Sequence, residues 1–285
     1  MNLALSGASG FIGQALIKRI LAMGWTLKVI DRDSFNMPEE QFLEEKIEGT
    51  DAVINLAGAP IAKKWTLKYK QQIMESRVTT TRKIAVAITR ASQKPAVFIS
   101  TSAIGIYDSI STHDETSTAY AGSFLTEVCS AWEQEAMKAA ASTRLVIFRI
   151  GVVLGRDGGA LSKMYLPFSI GLGGKIGDGT QPVSFIHIND LIEAIIFSLE
   201  NPSLSGIVNA VTPFPTDNAD FSDKLGKVLK QSVWFTVPAF VMKMMYGEGA
   251  QVLLEGQKVI PGKLMQSGFR FKYPTMQNAL MQIYR

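Results

Sequence analysis

Six short apolar runs alternate with longer amphipathic segments, and this alternation restricts the possible folds more than any other feature of the sequence. The runs are residues 2–6, 26–31, 51–58, 95–101, 144–155 and 205–211. The segments between them, such as 11–24, 67–91 and 122–141, carry apolar residues at helical spacing. Strands that alternate with helices form parallel sheets, and strands buried on both faces are apolar throughout. The sequence therefore predicts an α/β fold built on a doubly wound parallel sheet.

The second half of the chain loses this rhythm at about Gly155. Residues 158–191 are irregular and rich in glycine, and shorter helical segments follow them. We expect residues 156–285 to form a smaller C-terminal region that packs over the carboxyl ends of the strands, on the substrate side.

The composition limits the class of protein. Of the 285 residues, 47% are hydrophobic and 19% are charged, which is typical of a well-buried globular protein and excludes disorder. The net charge of +4 is spread along the chain, so nucleic acid is not an expected partner. No apolar run reaches about 18 residues, and the amino-terminal residues predict a strand, so we expect neither a membrane span nor a signal peptide. The single Cys129 excludes an internal disulfide and favours a reducing compartment, the cytoplasm.

A glycine-rich loop, GASGFIG, joins the first predicted strand to the first predicted helix. Glycine at positions 7, 10 and 13 allows a tight turn, a close approach of the backbone to a pyrophosphate, and close packing of the helix on the strand. The start of the helix then offers free N–H groups and a partial positive charge to the phosphates. The cofactor-binding residues expected here are Gly7, Ser9, Gly10, Phe11, Ile12 and Gly13.

The second predicted strand ends at Asp31 and Arg32, where dinucleotide-binding folds select their cofactor. Either Arg32 pairs with the 2′-phosphate of NADP while Asp31 turns away, or Asp31 binds the ribose of NAD while Arg32 stacks on the adenine. An exposed ion pair without a ligand is the third alternative. The sequence slightly favours NADP and leaves NAD possible.

Three phrases carry a family resemblance: GASGFIG at 7–13, DAVINLAG at 51–58 and STSAIGIY at 100–107. With them, the chain resembles the extended short-chain dehydrogenases/reductases. It is similar, more narrowly, to the NAD-dependent epimerase/dehydratase family members that carry a small C-terminal domain of unknown function. The phrases that match over the rest of the chain are NLAGAPI (55–61), SRVTTTR (76–82), GGALSKM (158–164), GLGGKIGDGTQPVSFIHINDL (171–191) and LLEGQKVIPGKLMQSGFRFKYP (253–274).

The resemblance implies a Rossmann-type domain over residues 1–155, to which residues 177–211 also contribute. It implies that the backbone of Leu56, Ala57 and Gly58 runs past the cofactor. A homodimer through the long helices is a further expectation of the same resemblance.

The catalytic residues of the resembled superfamily are only partly present. Ser102 matches the serine or threonine that bonds the substrate oxygen. The superfamily's Tyr-x-x-x-Lys pair is missing, since Leu125 stands where the tyrosine would be and Cys129 where the lysine would be. A phenol needs an adjacent cation to move protons near neutral pH, so another group must take over this role, or the activity is lost. Tyr107 is the phenol nearest to Ser102 in sequence and the remaining catalytic candidate, with a partly buried structural tyrosine as the alternative.

Three further residues are candidates for the site. Arg77 either holds a cofactor phosphate or an acidic substrate, or is a solvated helix charge. Trp65 is expected to wall the substrate pocket or to lie on the surface, and Lys163 to replace the missing cation or to be an exposed lysine. His187 is expected to be structural, and no set of residues predicts a metal site.

The segment between Asp31 and Asp51 is too short for the strand that relatives usually place there. Its sequence indicates a helix over residues 37–49. We therefore expect this strand to be absent or vestigial, which would leave the adenine pocket open on one side.

Two classes of function fit these features. The first is an NAD(P)-dependent oxidoreductase or epimerase-like enzyme that acts on a small polar or sugar-like molecule. The second is a non-catalytic NADP(H)-binding redox sensor or scaffold. The missing Tyr–Lys pair favours the second, whereas Ser102 and the elaborate second half favour the first. True epimerisation is disfavoured, because it reverses a hydride transfer and needs the phenol twice.

Overall fold

The structure is a computed structural model that describes residues 1–36 and 41–285. The strands are β1 (Asn2–Ser6), β2 (Thr26–Ile30), β3 (Ala52–Asn55), β4 (Val97–Ala103), β5 (Thr112–His113), β6 (Arg144–Ile150), β7 (Val152–Gly155), β8 (Gly174–Ile176), β9 (Pro182–Val183), β10 (Phe185–His187), β11 (Gly206–Ala210), β12 (Thr216–Asp217), β13 (Phe235–Val237) and β14 (Lys258–Val259).

The helices are α1 (Phe11–Ala22), α2 (Arg32–Asn36), α3 (Gln41–Ile47), α4 (Leu67–Arg90), α5 (Phe124–Met137), α6 (Gly159–Ser169), α7 (Ile188–Glu200), α8 (Asn218–Val228), α9 (Ala239–Tyr246), α10 (Gln251–Leu254), α11 (Gly262–Gln266) and α12 (Met276–Tyr284). Short 3-10 helices cover Ile104–Ile106 and Glu248–Ala250. None of the described helices is both long enough and apolar enough to cross a membrane.

The core of the molecule is a six-stranded sheet in the order β11-β6-β4-β3-β1-β2, and every pair of neighbours in it is parallel. On one face, Ile54 and Ile99 pack in a cluster with Leu16 of α1 and Leu191 of α7. On the other face, Phe98 packs in a cluster with residues of α3, α4 and α5. Because both faces are covered by helices, the central strands of the sheet are mostly apolar. The predicted doubly wound α/β fold is confirmed.

The apolar run 144–155 divides into two strands instead of forming one. Gly151 still donates its N–H to Ala210 of the main sheet, at 3.2 Å, whereas Val152 donates to Ser184, at 2.9 Å. The chain thus leaves the main sheet after β6, and β7 pairs with β10. Periodicity alone could not reveal this change of partner, because both strands are buried and apolar.

The residues after Gly155 build a second apolar cluster and also return to the main sheet. Phe168, Phe221 and Leu280 belong to the second cluster. β11 then pairs with β6 at the edge of the main sheet. The assignment of residues 156–285 as a substrate-side region stays a prediction.

The segment between β2 and β3 contains no strand in its described part. Residues 33–36 and 41–50 form α2, α3 and turns, and β2 is the edge of the sheet. Residues 37–40, the start of the helix predicted over 37–49, lie outside the described residues. The open adenine pocket stays a prediction.

His187 has a structural position at the start of α7. Its Nδ1 accepts a hydrogen bond from the Asn189 N–H at 3.1 Å, and its Nε2 lies 2.7 Å from the Gln282 side-chain oxygen. Nδ1 must therefore be unprotonated and Nε2 must carry the hydrogen. This bonding ties α7 to α12. Burial lowers the pKa of His187 from 6.5 to about 4.

We expect this histidine to make the fold less stable in mild acid. The unfolded chain takes up a proton near pH 6.5 and the folded chain only near pH 4, so stability is full above the first value and falls between the two. From about pH 7 to about pH 5, wild type should lose about 2 kcal/mol of unfolding free energy from this group. His187→Asn should remove that part of the pH dependence, as measured by urea unfolding at both pH values. Equal pH dependence in the two proteins would contradict this.

Candidate functional site

The glycine-rich loop connects β1 to α1 and leaves no room for a side chain at Gly7 or Gly13. Gly7 has a φ of +77°, and a Cβ on it would lie 2.6 Å from the Leu56 carbonyl carbon. A Cβ on Gly13 would lie 2.3 Å from the Gly7 carbonyl oxygen. Both distances are shorter than any real contact, so the loop needs glycine at these positions.

The start of α1 is open to an anion. Ser9 and Gly10 are exposed, Gly10 donates to the Gly7 carbonyl at 3.0 Å, and no acidic residue lies in the first helical turn. Phe11 packs its ring against Gly155 and Gly158, and Ile12 packs on the main apolar cluster. These two side chains fix the helix, whose free N–H groups face outward from the loop.

Asp31 and Arg32 lie at the end of β2. Asp31 accepts two hydrogen bonds from Ser34, from the N–H at 2.9 Å and from the hydroxyl at 2.7 Å. The bond from the Ser34 hydroxyl is the main cause that lowers the pKa of Asp31. Arg32, the first residue of α2, is exposed. The carboxylate is thus directed toward α2, the helix that follows it, and the expected cofactor contacts of Asp31 and Arg32 stay predictions.

The end of β3 is held by a buried asparagine. Asn55 accepts from the Ser6 hydroxyl at 2.5 Å and donates to Thr81 at 2.8 Å. The same side-chain oxygen accepts the Ala57 N–H at 3.2 Å. The Leu56 N–H donates to the Ser6 carbonyl at 3.1 Å, and Gly58 is exposed. This fixes the backbone of residues 56–58 beside the glycine loop.

Arg77 supports this backbone from α4. Its guanidinium donates to the Ala59 carbonyl at 2.9 Å and to the Ile73 carbonyl at 3.2 Å, and lies 5.2 Å from the Trp132 ring centroid. Burial lowers the pKa of Arg77. The side chain is therefore not a solvated helix charge, and its expected contact with the cofactor stays a prediction.

Ser102 belongs to a buried polar network. Its hydroxyl donates to Glu133 Oε1 at 2.6 Å. Arg149 donates to the same carboxylate through Nε at 2.8 Å and through Nη2 at 2.7 Å. Ser102 and Arg149 are neighbours on adjacent strands, at the carboxyl ends of β4 and β6, and Glu133 reaches them from α5. The ion pair is buried, since the Arg149 side chain is 1% exposed and the Glu133 side chain 11%.

Tyr107 lies inside this region and has no exposed surface. Its hydroxyl is 3.0 Å from the Asn209 side-chain oxygen and 3.1 Å from the Asp114 carbonyl, and its ring stacks on His113 at 4.7 Å. Burial raises the pKa of Tyr107. This environment favours a structural tyrosine, and the catalytic assignment stays a prediction that the geometry does not support.

The two positions where the resemblance places tyrosine and lysine are packed and uncharged. Leu125 packs against Gly105 and belongs to an apolar cluster with Trp65 and Val252. Cys129 is buried, and burial raises its pKa to about 11. At neutral pH the Cys129 thiol is therefore protonated and uncharged, and Leu125 has no titratable group.

Trp65 lies in the loop that follows β3, and Lys163 contacts this loop from α6. Trp65 is 5% exposed, donates from Nε1 to the Ile61 carbonyl at 2.9 Å and meets Phe124 edge-on at 5.3 Å, so it is not a surface aromatic. Lys163 is exposed and donates to the Ala62 carbonyl at 2.6 Å. Lys163 thereby links α6 to this loop, and the expected contacts of both residues with substrate stay predictions.

Sequence reasoning did not select Glu133 or Arg149, and it set Tyr120 aside because Phe124, and not a lysine, stands four residues later. One signal was available: Arg149 lies in RLVIFRI directly after the apolar stretch 145–148, and a cation in a buried strand requires a partner. The identity of that partner could not be read from the sequence. Among the described residues, no group of three or more His, Cys, Asp or Glu side chains is placed to hold a metal ion.

The family model described as NAD dependent epimerase/dehydratase family matches residues 3–210. The chain belongs to this family. A second model, described as a domain of unknown function (DUF1731), matches residues 237–283. The resemblance drawn from the sequence phrases is confirmed, and family membership agrees with the β1–α1 glycine loop.

Several relatives match this chain over nearly all of its residues. The epimerase family protein SDR39U1 homolog, chloroplastic, of Arabidopsis thaliana is 38% identical over 99% of this chain and 86% of its own length. The epimerase family protein SDR39U1 of Mus musculus is 35% identical over 99% of both chains. The crystal structure of human epimerase family protein SDR39U1 (isoform 2) with NADPH has a TM-score of 0.93 at 33% identity, covering 100% of this chain and 99% of the human one.

Proposed function

We propose that this chain binds NADP(H) and is an oxidoreductase or epimerase-like enzyme that acts on a small polar or sugar-like molecule. The observation that carries the proposal is the glycine loop, where any Cβ on Gly7 or Gly13 would collide with backbone. A loop of this shape leaves space for a pyrophosphate beside the open start of α1. The 33% identical human relative, solved with NADPH, supports the same cofactor.

Preference for NADP(H) over NAD(H) rests on Asp31 and Arg32. Asp31 accepts both bonds from Ser34 through one oxygen, Oδ1, which directs its carboxylate toward α2. Arg32 is exposed beside it, where its guanidinium can form two bonds with a 2′-phosphate.

The chemistry of the site follows from Ser102. When bound, the nicotinamide ring supplies or accepts a hydride. The Ser102 hydroxyl hydrogen is donated to Glu133, so its oxygen is left to accept a hydrogen bond. We expect Ser102 to orient a hydroxyl-bearing form of the substrate, such as an alcohol. Glu133 and Arg149 hold the serine in this orientation.

A non-catalytic NADP(H)-binding sensor or scaffold is the second candidate. The packing of Leu125 and the burial of Cys129 favour it, because these positions carry the proton-moving pair in the resembled superfamily.

For either candidate function, we further propose that the protein is cytoplasmic and forms a homodimer through α4 and α5.

Fluorescence titration of NADPH and NADH tests the cofactor assignment. Wild type should bind NADPH more tightly than NADH. Arg32→Ala should weaken NADPH binding about 10- to 100-fold, since a bond between charged groups contributes about 1.5–3 kcal/mol, and should leave NADH binding unchanged. Arg270→Ala, which removes another exposed arginine, is the matched control. Failure of wild type to bind either nucleotide would overturn both candidate functions.

A further inference from the structure

Tyr120 is held beside the end of β4 by backbone pairing. The segment around it runs antiparallel to the segment around Tyr107: the Asp108 N–H donates to Ala119 and the Ala121 N–H donates to Ile106, each at 3.1 Å. The two tyrosines lie directly opposite each other, with ring centroids 6.3 Å apart. Tyr107 is fully buried, whereas Tyr120 is 43% exposed. Tyr120 is therefore the phenol of this pair that a substrate can reach.

A permanent cation lies against Tyr120. The Tyr120 hydroxyl oxygen is 3.4 Å from Arg149 Nη2, and the guanidinium carbon is 5.5 Å from the ring centroid. A guanidinium stays charged at every relevant pH, and a cation at this distance stabilises a phenolate formed beside it. Arg149 is thus the cation beside Tyr120, as the lysine is beside the tyrosine in a Tyr-x-x-x-Lys pair. Neither Tyr120 nor Arg149 lies on α5, the helix where the superfamily carries that pair.

The same arginine joins Tyr120 to Ser102. Arg149 and Ser102 are register partners on β6 and β4, and both donate to the Glu133 carboxylate. The phenol, the cation and the serine therefore form one connected polar network at the carboxyl ends of the strands. In parallel α/β sheets this edge is where ligands bind.

Arg149 has one more donor than the network uses. Its Nη1 is buried and finds no hydrogen-bond partner among the described residues. An unpaired buried donor is costly, so the network has room for one more acceptor at Arg149, whose guanidinium carbon also lies 4.9 Å from the Tyr107 ring centroid.

We propose that Tyr120, held against Arg149, is the catalytic proton donor that replaces the missing Tyr–Lys pair; this rests on the proposed function. In the reducing direction, a carbonyl carbon receives a hydride from a dihydronicotinamide, and the carbonyl oxygen receives the Tyr120 hydroxyl proton. The C4–H bond of the dihydronicotinamide, the C=O π bond and the tyrosine O–H bond break, and a C–H and an O–H bond form on the substrate. The dihydronicotinamide is oxidised, the carbonyl is reduced to an alcohol, and Arg149 holds the phenolate until water returns its proton. Arg149 and Glu133 act as positioning residues, and Ser102 bonds the alcohol form of the substrate as proposed above.

The experiment compares wild type with Tyr120→Phe, using diacetyl and phenanthrenequinone as carbonyl probes and NADPH as reductant. We expect kcat to fall at least about 100-fold in Tyr120→Phe, the usual contribution of a general acid. KM, the Kd for NADPH measured by fluorescence, and the melting temperature should stay close to wild type. Tyr165→Phe is the matched control, because Tyr165 is an exposed tyrosine on α6, outside this network.

A second measurement avoids substitution. N-acetylimidazole acetylates accessible phenols and hydroxylamine removes the acetyl group. Peptide mapping should find Tyr120 acetylated, with turnover lost, NADPH binding kept, and turnover restored by hydroxylamine.

The failures of the two proposals can be told apart. Unchanged kcat in Tyr120→Phe, or full turnover with Tyr120 acetylated, overturns the role of Tyr120 and leaves the proposed function intact. Wild type that reduces neither probe overturns the role of Tyr120 together with the oxidoreductase function. Wild type that also fails to bind NADPH overturns the cofactor assignment as well.

Discussion

Gly13→Ala is expected to lose NADPH binding, with a Kd at least about 100-fold higher than that of wild type, which corresponds to about 2.7 kcal/mol. The added Cβ would lie 2.3 Å from the Gly7 carbonyl oxygen and 2.9 Å from the Ala8 Cα, and both are backbone atoms. Because no side chain can rotate away, the loop itself must move. A displaced loop no longer presents the N–H groups of α1 to the phosphates.

Gly122→Ala is the matched control, since no atom lies within 4 Å of its added Cβ. Fluorescence titration of NADPH should give this control a wild-type Kd. Thermal melting of both variants separates a local effect on the loop from unfolding. A folded Gly13→Ala protein that binds NADPH like wild type would show that the loop does not hold the nucleotide.

Glu133→Gln is expected to cause the largest loss of stability, about 3 kcal/mol or more, because it removes one partner of a buried ion pair. Arg149 is 1% exposed and cannot reach water when its partner loses its charge. The Ser102 hydroxyl also loses its charged acceptor. Removal of a buried charge partner costs more than the pair itself contributes, since the desolvated guanidinium remains.

The pair between Arg19 and Glu193 provides the comparison. It has a similar distance, 2.6 Å, but its side chains are 39% and 47% exposed. Glu193→Gln should cost no more than about 1 kcal/mol, as is usual for surface pairs. Urea unfolding of the two variants measures the difference, and equal losses would contradict the account of a buried network.

The main sheet was largely predictable because its strands are short apolar runs that can be recognised from the local sequence. The apolar runs that became β1, β3 and β4 are continuous, and the glycine loop follows directly from GASGFIG. The break at Gly151 was not predictable, because it depends on pairing with Ser184, which is distant in the sequence.

The site was only partly predictable for the same reason. The absence of tyrosine and lysine at positions 125 and 129 is visible in the sequence, and so is the match of Ser102. The environment of Tyr107 could not be predicted from the sequence, because its hydroxyl bonds Asn209, a residue 102 positions away. Tyr120 was set aside because no lysine follows it four residues later in the sequence, whereas in the structure it contacts Arg149 of β6.

A single-turnover measurement tests the central claim, that this chain carries out hydride transfer from NADPH without a Tyr–Lys pair. Wild type is mixed with diacetyl and NADPH in which both hydrogens at C4 of the nicotinamide ring are deuterium, and the product is examined by mass spectrometry. The account predicts one deuterium on the reduced carbon in wild type, and little in Tyr120→Phe over the same time. A wild-type protein that binds the labelled NADPH and transfers no deuterium would contradict the account and would identify a non-catalytic binder.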